Sequence, residues 1–290
     1  MAVSPSATDY RHGVLLVSGA ALLWSTAGLL VRWTATDPGT TLFWRAVFAS
    51  VALLAWLRTA APGRMVPAFR GLGPLGLLLA LCFAASMMAF INALALTTVA
   101  NVMVFQAISP LLAALFAWAW LREPLTPRAL FAIGVAFAGV LLMVSGDLGG
   151  GRVAGDALGL LMAATSALTI VLARLARDVS MAAATFAGMA VTAAVTMPMA
   201  RFVLPTGDYG LLAIFGVGQM AFALVLFATG VRLIPAVDAG LITLLECVLA
   251  PLWVWFAFGE TPRDRSIIGG AVVLGAVAIT ALRRRPQALL

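Results

Sequence analysis

Lysine is absent from this chain, and all 18 basic residues are arginine. That excludes Schiff-base chemistry, a retinal-type pigment included, because it needs a lysine amine. Histidine is reduced to His12, ahead of the first long apolar run. No Ser–His dyad can therefore form inside the apolar segments, and an HExxH zinc-protease helix is missing. The two cysteines, Cys82 and Cys247, lie far apart in apolar runs and read as small packing residues, not as a disulfide. No Walker-type loop is present, so this chain supplies no ATP drive, and no aspartate sits at the centre of an apolar run. Charge itself is scarce: 10% of residues against about 25% in an average soluble domain. A water-soluble fold of 290 residues needs a polar shell that these residues cannot build. The expectation is a protein that is not an enzyme and uses no cofactor or metal.

What the chain does have is apolar length. Hydrophobic residues make up 63% and the mean hydropathy is +1.08. Gly, Pro and Arg clusters cut the sequence into ten apolar segments: 13–32, 40–57, 72–95, 99–121, 128–145, 155–174, 180–199, 209–231, 236–258 and 265–282. Each is close to the roughly 17–25 residues that cross the hydrocarbon of a bilayer. The first is too long for a signal-peptide core of about 7–15 residues and reads as a true span. An all-α polytopic membrane protein with ten transmembrane helices follows.

Ten crossings put both termini on one side. With the N-terminus inside, Arg11, Arg58, Arg64, Arg70, Arg122, Arg128, Arg174, Arg177, Arg232 and Arg283 to Arg285 are internal, twelve in all. Five lie outside: Arg32, Arg152, Arg201, Arg263 and Arg265. The positive-inside bias makes both ends cytoplasmic, in an inner (plasma) membrane. The net charge of +7 is spread over loops and ends, so it marks topology and not a nucleic-acid footprint.

The halves resemble each other. Leu115–Glu123 (LFAWAWLRE) matches Leu252–Glu260 (LWVWFAFGE) at a shift of 137, which also pairs Phe90 with Phe227, Leu96 with Leu233 and Ala113 with Ala250. Ala21–Arg32 falls loosely on Ala163–Arg174, and Gly134 and Gly139 fall on Gly270 and Gly275 after one indel. The expected units are 1–146 and 155–285. A five-helix repeat is odd, so the second copy enters the membrane from the opposite side. Inverted repeats of this kind are an architecture of secondary transporters, with the substrate site near midplane between the repeats.

Glu246 lies in the middle of the ninth segment. A central charge costs about 2.5–3.5 kcal/mol on insertion scales, so it must face a protein interior or a watery cavity. Thr243, Glu246, Ala250 and Trp253 share one helical face. Their repeat mates Gln106, Ser109, Ala113 and Phe116 share another, in the same order of polar, polar, alanine, aromatic. A mostly apolar cavity with a few placed polar groups suits a small molecule; the alternative is that these polar groups only bond helix to helix. Glu246 could hold a substrate ammonium or exchange a proton with it. Arg45, inside the second segment near its outer end, could pair with a substrate carboxylate, or it could snorkel or cap helix-end carbonyls. Asn92, Asn101 and Gln219 sit in or at the ends of segments and have interhelical packing as their default. Trp24, Phe90 and Phe227 are candidate cavity walls, with lipid-facing or packing roles as the alternative. Glu123 and Glu260 end the fourth and ninth segments beside arginines, as salt-bridged helix ends or gate charges. Pro110 and Pro251 must bend or open their helices.

Trp24 (ALLWSTAG), Arg45 (LFWRAVF), Pro110 to Glu123 (SPLLAALFAWAWLRE) and Glu246 to Glu260 (ECVLAPLWVWFAFGE) together resemble the pattern of the drug/metabolite transporter superfamily, EamA type. One departure is that the usual Glu-Pro pair of the ninth helix is here Glu246-Cys247, with the proline displaced to Pro251. The resemblance spans essentially the whole chain and is nearest to amino-acid exporters of the YddG type. It implies secondary transport by alternating access, outward in direction, of a small-molecule substrate. The terminal helices of each repeat mediate packing or dimers in that family. Small residues at Ala132/Ala136, Gly134/Ala138 and Ala271/Gly275 therefore point to close packing or to a homodimer through the fifth and tenth helices. Neutral or aromatic amino acids are the expected substrates, hydrophobic cations the alternative, and a channel or scaffold the rival from another class.

Overall fold

A computed structural model describes residues 7–60, 63, 65–122, 127–145, 153–176 and 179–282. Arg64, Glu123, Arg152, Arg177 and Arg283 to Arg285 lie outside the described residues. The helices in order are α1 (Ala7–Ser25), α2 (Ala27–Trp33), α3 (Pro38–Ala60), α4 (Met65–Arg70), α5 (Gly73–Leu96), α6 (Val99–Leu121), α7 (Pro127–Ser145), α8 (Val153–Leu175), α9 (Met181–Thr196), α10 (Thr206–Ala213), α11 (Ala223–Gly230), α12 (Ala236–Phe258) and α13 (Asp264–Leu282). No strand occurs among the described residues. The first crossing is α1 plus α2. The eighth is α10 and α11 joined by nine π-helical residues, Ile214–Phe222. Among the described residues, eight of the ten crossings are long and apolar enough to span a membrane by length and composition, and α7 adds a shorter apolar stretch, Leu130–Leu142. The chain is an all-α polytopic membrane protein built as two inverted five-helix repeats.

Local chemistry sets the ends. Thr98 caps α6 by accepting from the Asn101 N–H, and Ser180 caps α9 in the same way through Ala183. Gly259, at φ 66°, takes the left-handed conformation that ends α12. Several boundaries differ from the hydropathy reading. The seventh crossing stops at Thr196 because Met197-Pro198-Met199 tightens into a 3₁₀ turn. The first is divided at Thr26, and the six-residue α4, with no buried residue, had no hydropathy signal. Helices α6 and α12 stay helical through Pro110 and Pro251.

The inversion is visible in packing. Helix α8 packs on α5 and α6, while α1, its repeat mate, packs on α11 and α12. Gly13 of α1 and Gly155 of α8 occupy the same place in each copy. A Cβ on Gly13 would lie 2.8 Å from Leu233 Cβ, and one on Gly155 would lie 2.8 Å from Thr97 Cβ. Leu233 and Thr97 occupy the corner after the third helix of their repeats, so the same tight corner is built at opposite ends of the bundle. The end where α1 begins is called near here, and the end with residues 34–37, 97–98 and 259–263 is called far. Helices α7 and α13 pack on each other: a Cβ on Gly139 would meet the Gly269 carbonyl at 2.8 Å. Ala132, Ala136 and Val273 are buried in this contact region, so part of the small-residue stripe is used within one chain.

At the far end Asp37 caps α3, whose first residue is Pro38. Its carboxylate accepts from Thr40 N (3.0 Å) and Thr40 Oγ1 (2.8 Å), and it pairs with Arg201 Nε at 3.4 Å. Burial pushes the Asp37 carboxyl up, but the Thr40 hydrogen bonds and the Arg201 charge outweigh it and hold the pKa below its usual value. Replacing Asp37 by Ala should cost about 1 kcal/mol of stability, as loss of an N-cap does. A carboxyl with a lowered native pKa stabilises the fold fully above its unfolded pKa of about 3.9 and loses that contribution as pH falls through the native value. Thermal unfolding of detergent-purified protein should therefore show a constant gap between wild type and Asp37→Ala down to about pH 4, narrowing below it.

Candidate functional site

The break in the first crossing organises the site. Ser25 Oγ donates to the Leu22 carbonyl and Thr26 Oγ1 to that of Leu23, both at 2.7 Å, so side chains take up groups next to the break. The carbonyl of Trp24 is received by another helix: Gln219 Nε2 donates to it at 3.2 Å. Ser25 Oγ also accepts from Trp253 Nε1 of α12 at 2.9 Å. The Trp24 ring lies 5.1 Å from that of Phe227, centroid to centroid. One break in repeat one is thus held by two helices of repeat two.

Arg45 departs from both of its bland alternatives. It neither snorkels nor caps a helix end, and is only 3% exposed. Its Nη2 donates to Gln219 Oε1 at 3.1 Å and faces Met220 Sδ at 3.4 Å. Nη1 faces Met87 Sδ at 3.6 Å, and the guanidinium sits 4.5 Å above the Phe215 ring. Nε is buried and has no hydrogen-bond partner among the described residues. A guanidinium surrounded by neutral groups is an uncompensated cation, which a bound anion would neutralise. Three of these partners, Phe215, Gln219 and Met220, come from the π-helical segment. Gly216 permits its approach, because a Cβ there would lie 2.6 Å from the Arg45 carbonyl oxygen. π-helical turns recur at functional sites because the wider turn re-aims side chains.

Glu246 is half-buried on α12, and among the described residues no hydrogen bond or ion pair engages its carboxylate. Along its face Thr243 is half-buried, Ala250 is buried and Trp253 is 36% exposed. The stripe therefore lines an open face and not an enclosed chamber. Thr243 Oγ1 donates back to the Gly240 carbonyl at 2.9 Å.

The other candidates separate. Gln106 is half-buried on α6, and Ser109 is buried with its Oγ unpartnered. Phe90 is buried in the main apolar cluster, away from its mate Phe227, which packs in a small cluster with Val17 and Ile234. Asn92 donates to the Met88 carbonyl of its own helix at 2.8 Å. Among the described residues no hydrogen bond or ion pair joins Arg45 directly to Glu246; they are linked through Gln219, the helix break at Thr26 and Trp253, two turns along α12 from Glu246. Sequence reasoning treated Gln219 as packing and did not find Phe215, Met87 or Met220. The one available signal was a glutamine between Gly218 and Met220 in an otherwise apolar run.

Gln219→Leu should destabilise the protein by about 1–3 kcal/mol, because it strands Arg45 Nη2 and the Trp24 carbonyl together. Gln219→Glu, which gives Arg45 a carboxylate partner, should retain or raise the midpoint of thermal unfolding relative to Gln219→Leu.

The EamA-like transporter family model matches residues 11–145 and again 153–282, one copy per repeat. No curated protein matches the chain at a significant level. A solved crystal structure, described only as that of a protein, is similar with a TM-score of 0.65 at 21% identity, over 94% of this chain and 97% of the other. At that identity the likeness speaks for the fold alone. With the family pattern present twice and covering nearly the whole sequence, the chain belongs to the EamA-like transporter family.

Proposed function

We propose that this membrane transporter is a secondary exporter of neutral or aromatic amino acids. The two repeats, 1–146 and 155–285, rock about a central site in an inner membrane, with both termini cytoplasmic. The observation that carries the reading is the Glu246 carboxylate, half-buried in mid-span with no hydrogen bond or ion pair among the described residues. Such a group has an unmet demand for a cationic partner, which a substrate ammonium supplies. Buried Arg45 has the complementary demand for an anion, which a carboxylate meets with two parallel hydrogen bonds. Trp24 and Phe227 offer an aromatic wall to the side chain. A zwitterion satisfies both charges in one molecule and leaves the loaded site neutral, which lowers the cost of moving it through the bilayer. Gln106, Ser109, Thr243, Phe90 and Asn92 are secondary members of the path.

The second reading, export of hydrophobic cations, draws on the same Trp24–Phe227 pair, since aromatic faces attract cations. It leaves Arg45 without a role.

The test is counterflow of a radiolabelled amino-acid panel in liposomes, with the matching amino-acid amides and Glu246→Gln alongside. Saturable exchange is expected for the acids and not the amides. Glu246→Gln should lower it by roughly ten- to a hundredfold, the worth of a charge-assisted hydrogen bond. Equal exchange of amides would favour the cation reading, and equal exchange by Glu246→Gln would remove Glu246 from the path.

A further inference from the structure

The far end of the bundle is tied across the repeats by charge. Glu260, just past the end of α12, accepts from Arg32 Nε of α2 at 3.1 Å and from the Val99 backbone N–H at the start of α6 at 3.1 Å. Arg32 also donates from Nη1 to the Leu94 carbonyl at 2.6 Å and from Nη2 to the Thr97 carbonyl at 3.3 Å. One ion pair thus clasps the whole α5–α6 corner. Beneath it, Gly28 of α2 lies against Val99: a Cβ built there would be 2.7 Å from Val99 Cγ1. Thr98, Val99 and Ala100 of the α6 start face Pro251 and Val254 of α12 beside Glu260.

The corner is itself anchored. Asp156, buried at the start of α8, accepts from Thr97 Oγ1 at 2.8 Å and Asn101 Nδ2 at 3.1 Å. Ser266 of α13 donates to Asn101 Oδ1 at 2.8 Å. At the near end Tyr10 of α1 donates to Asp238 of α12 at 3.0 Å. Val17, Ile234 and Ala239 form one apolar cluster, and Leu72, Leu79, Leu172 and Ala183 form another, with no shared member.

We propose that the Arg32–Glu260 pair, clasping the α5–α6 corner, is the far-end gate. It must release α2 and α12 from that corner before the central site opens to the far side. This rests on the alternating-access reading but on no particular substrate. Release breaks one ion pair and three hydrogen bonds to backbone, all at one corner, and leaves the Asp156–Asn101–Ser266 anchor in place.

The experiment needs no substrate, so its failure is distinct from failure of the amino-acid reading. In a Cys82→Ala/Cys247→Ala background, Ala250→Cys places a buried thiol on α12 below the gate. A membrane-impermeant maleimide is added to the far face of sealed vesicles. Slow labelling is expected with the gate intact. Glu260→Gln or Arg32→Gln should accelerate it about tenfold or more, the population shift expected on losing a charge-assisted contact. A monodisperse elution and a cooperative thermal unfolding transition of each variant in detergent serve as the control and report a folded protein. Unchanged far-face labelling in both gate variants, with that control intact, overturns the proposal. Where those variants do not fold, Gly28→Cys/Val99→Cys in the otherwise wild-type gate gives the answer. Ready disulfide formation that blocks far-face labelling of a separate Ala250→Ser/Val254→Cys reporter upholds the gate, and labelling undiminished by the cross-link refutes it.

Discussion

In hydrocarbon an unpaired backbone N–H or C=O costs several kcal/mol, because no water is there to receive it. Wherever this chain leaves regular α-helical bonding, some other group has to take the freed polar atoms. At the Ser25–Thr26 break two hydroxyls turn back onto Leu22 and Leu23, and Gln219 crosses from another helix to the Trp24 carbonyl. In the eighth crossing the chain widens to π-helical bonding over Ile214–Phe222 and keeps its backbone paired while turning Phe215, Gln219 and Met220 toward Arg45. The irregular backbone and the buried charge therefore occur together, each supplying what the other lacks.

The repeats are alike in how most of their helices meet. Gly13 and Gly155 make equivalent corners at opposite ends, and α1 and α8 grip equivalent neighbours. Symmetry ends at α12 and α6: α13 packs on α6, whereas α12 leaves much of its surface open. In a two-fold arrangement of this type, a difference between the copies describes a conformational state, since exchanging their roles gives the opposite one. At the far end Glu260, Arg32 and Asp156 hold the α5–α6 corner, and at the near end Tyr10 bonds to Asp238 beside two separate apolar clusters.

Arg45 and Glu246 carry opposite demands within one apolar body. Neither is met by the other, and the link between them runs through Gln219, a helix break and the Trp253–Ser25 hydrogen bond. Binding at either residue would press on the element that separates α1 from α2, and α2 carries Arg32 at its last turn. The geometry thus connects the candidate site to the far-end clasp through a single short helix.

By itself the sequence determined the class, the ten crossings and the two-fold repeat. In lipid a helix satisfies its backbone within its own segment, so apolar length is a local property that composition reveals. Glu246 and Arg45 were legible for the same reason: a charge in an apolar run is conspicuous without any partner. Glu260 as a helix-end ion-pair partner was legible too, though not its choice of Arg32. Only the tertiary structure decided the division of the first crossing, the π-helical eighth, the neutral cage around Arg45, and the role of Asp156, which sat inconspicuously at a segment end. Each depends on which helices meet and at what height. The same apolar pattern permits many pairings, and the chosen one follows from glycine contacts and from which polar atoms the neighbouring helix happens to present.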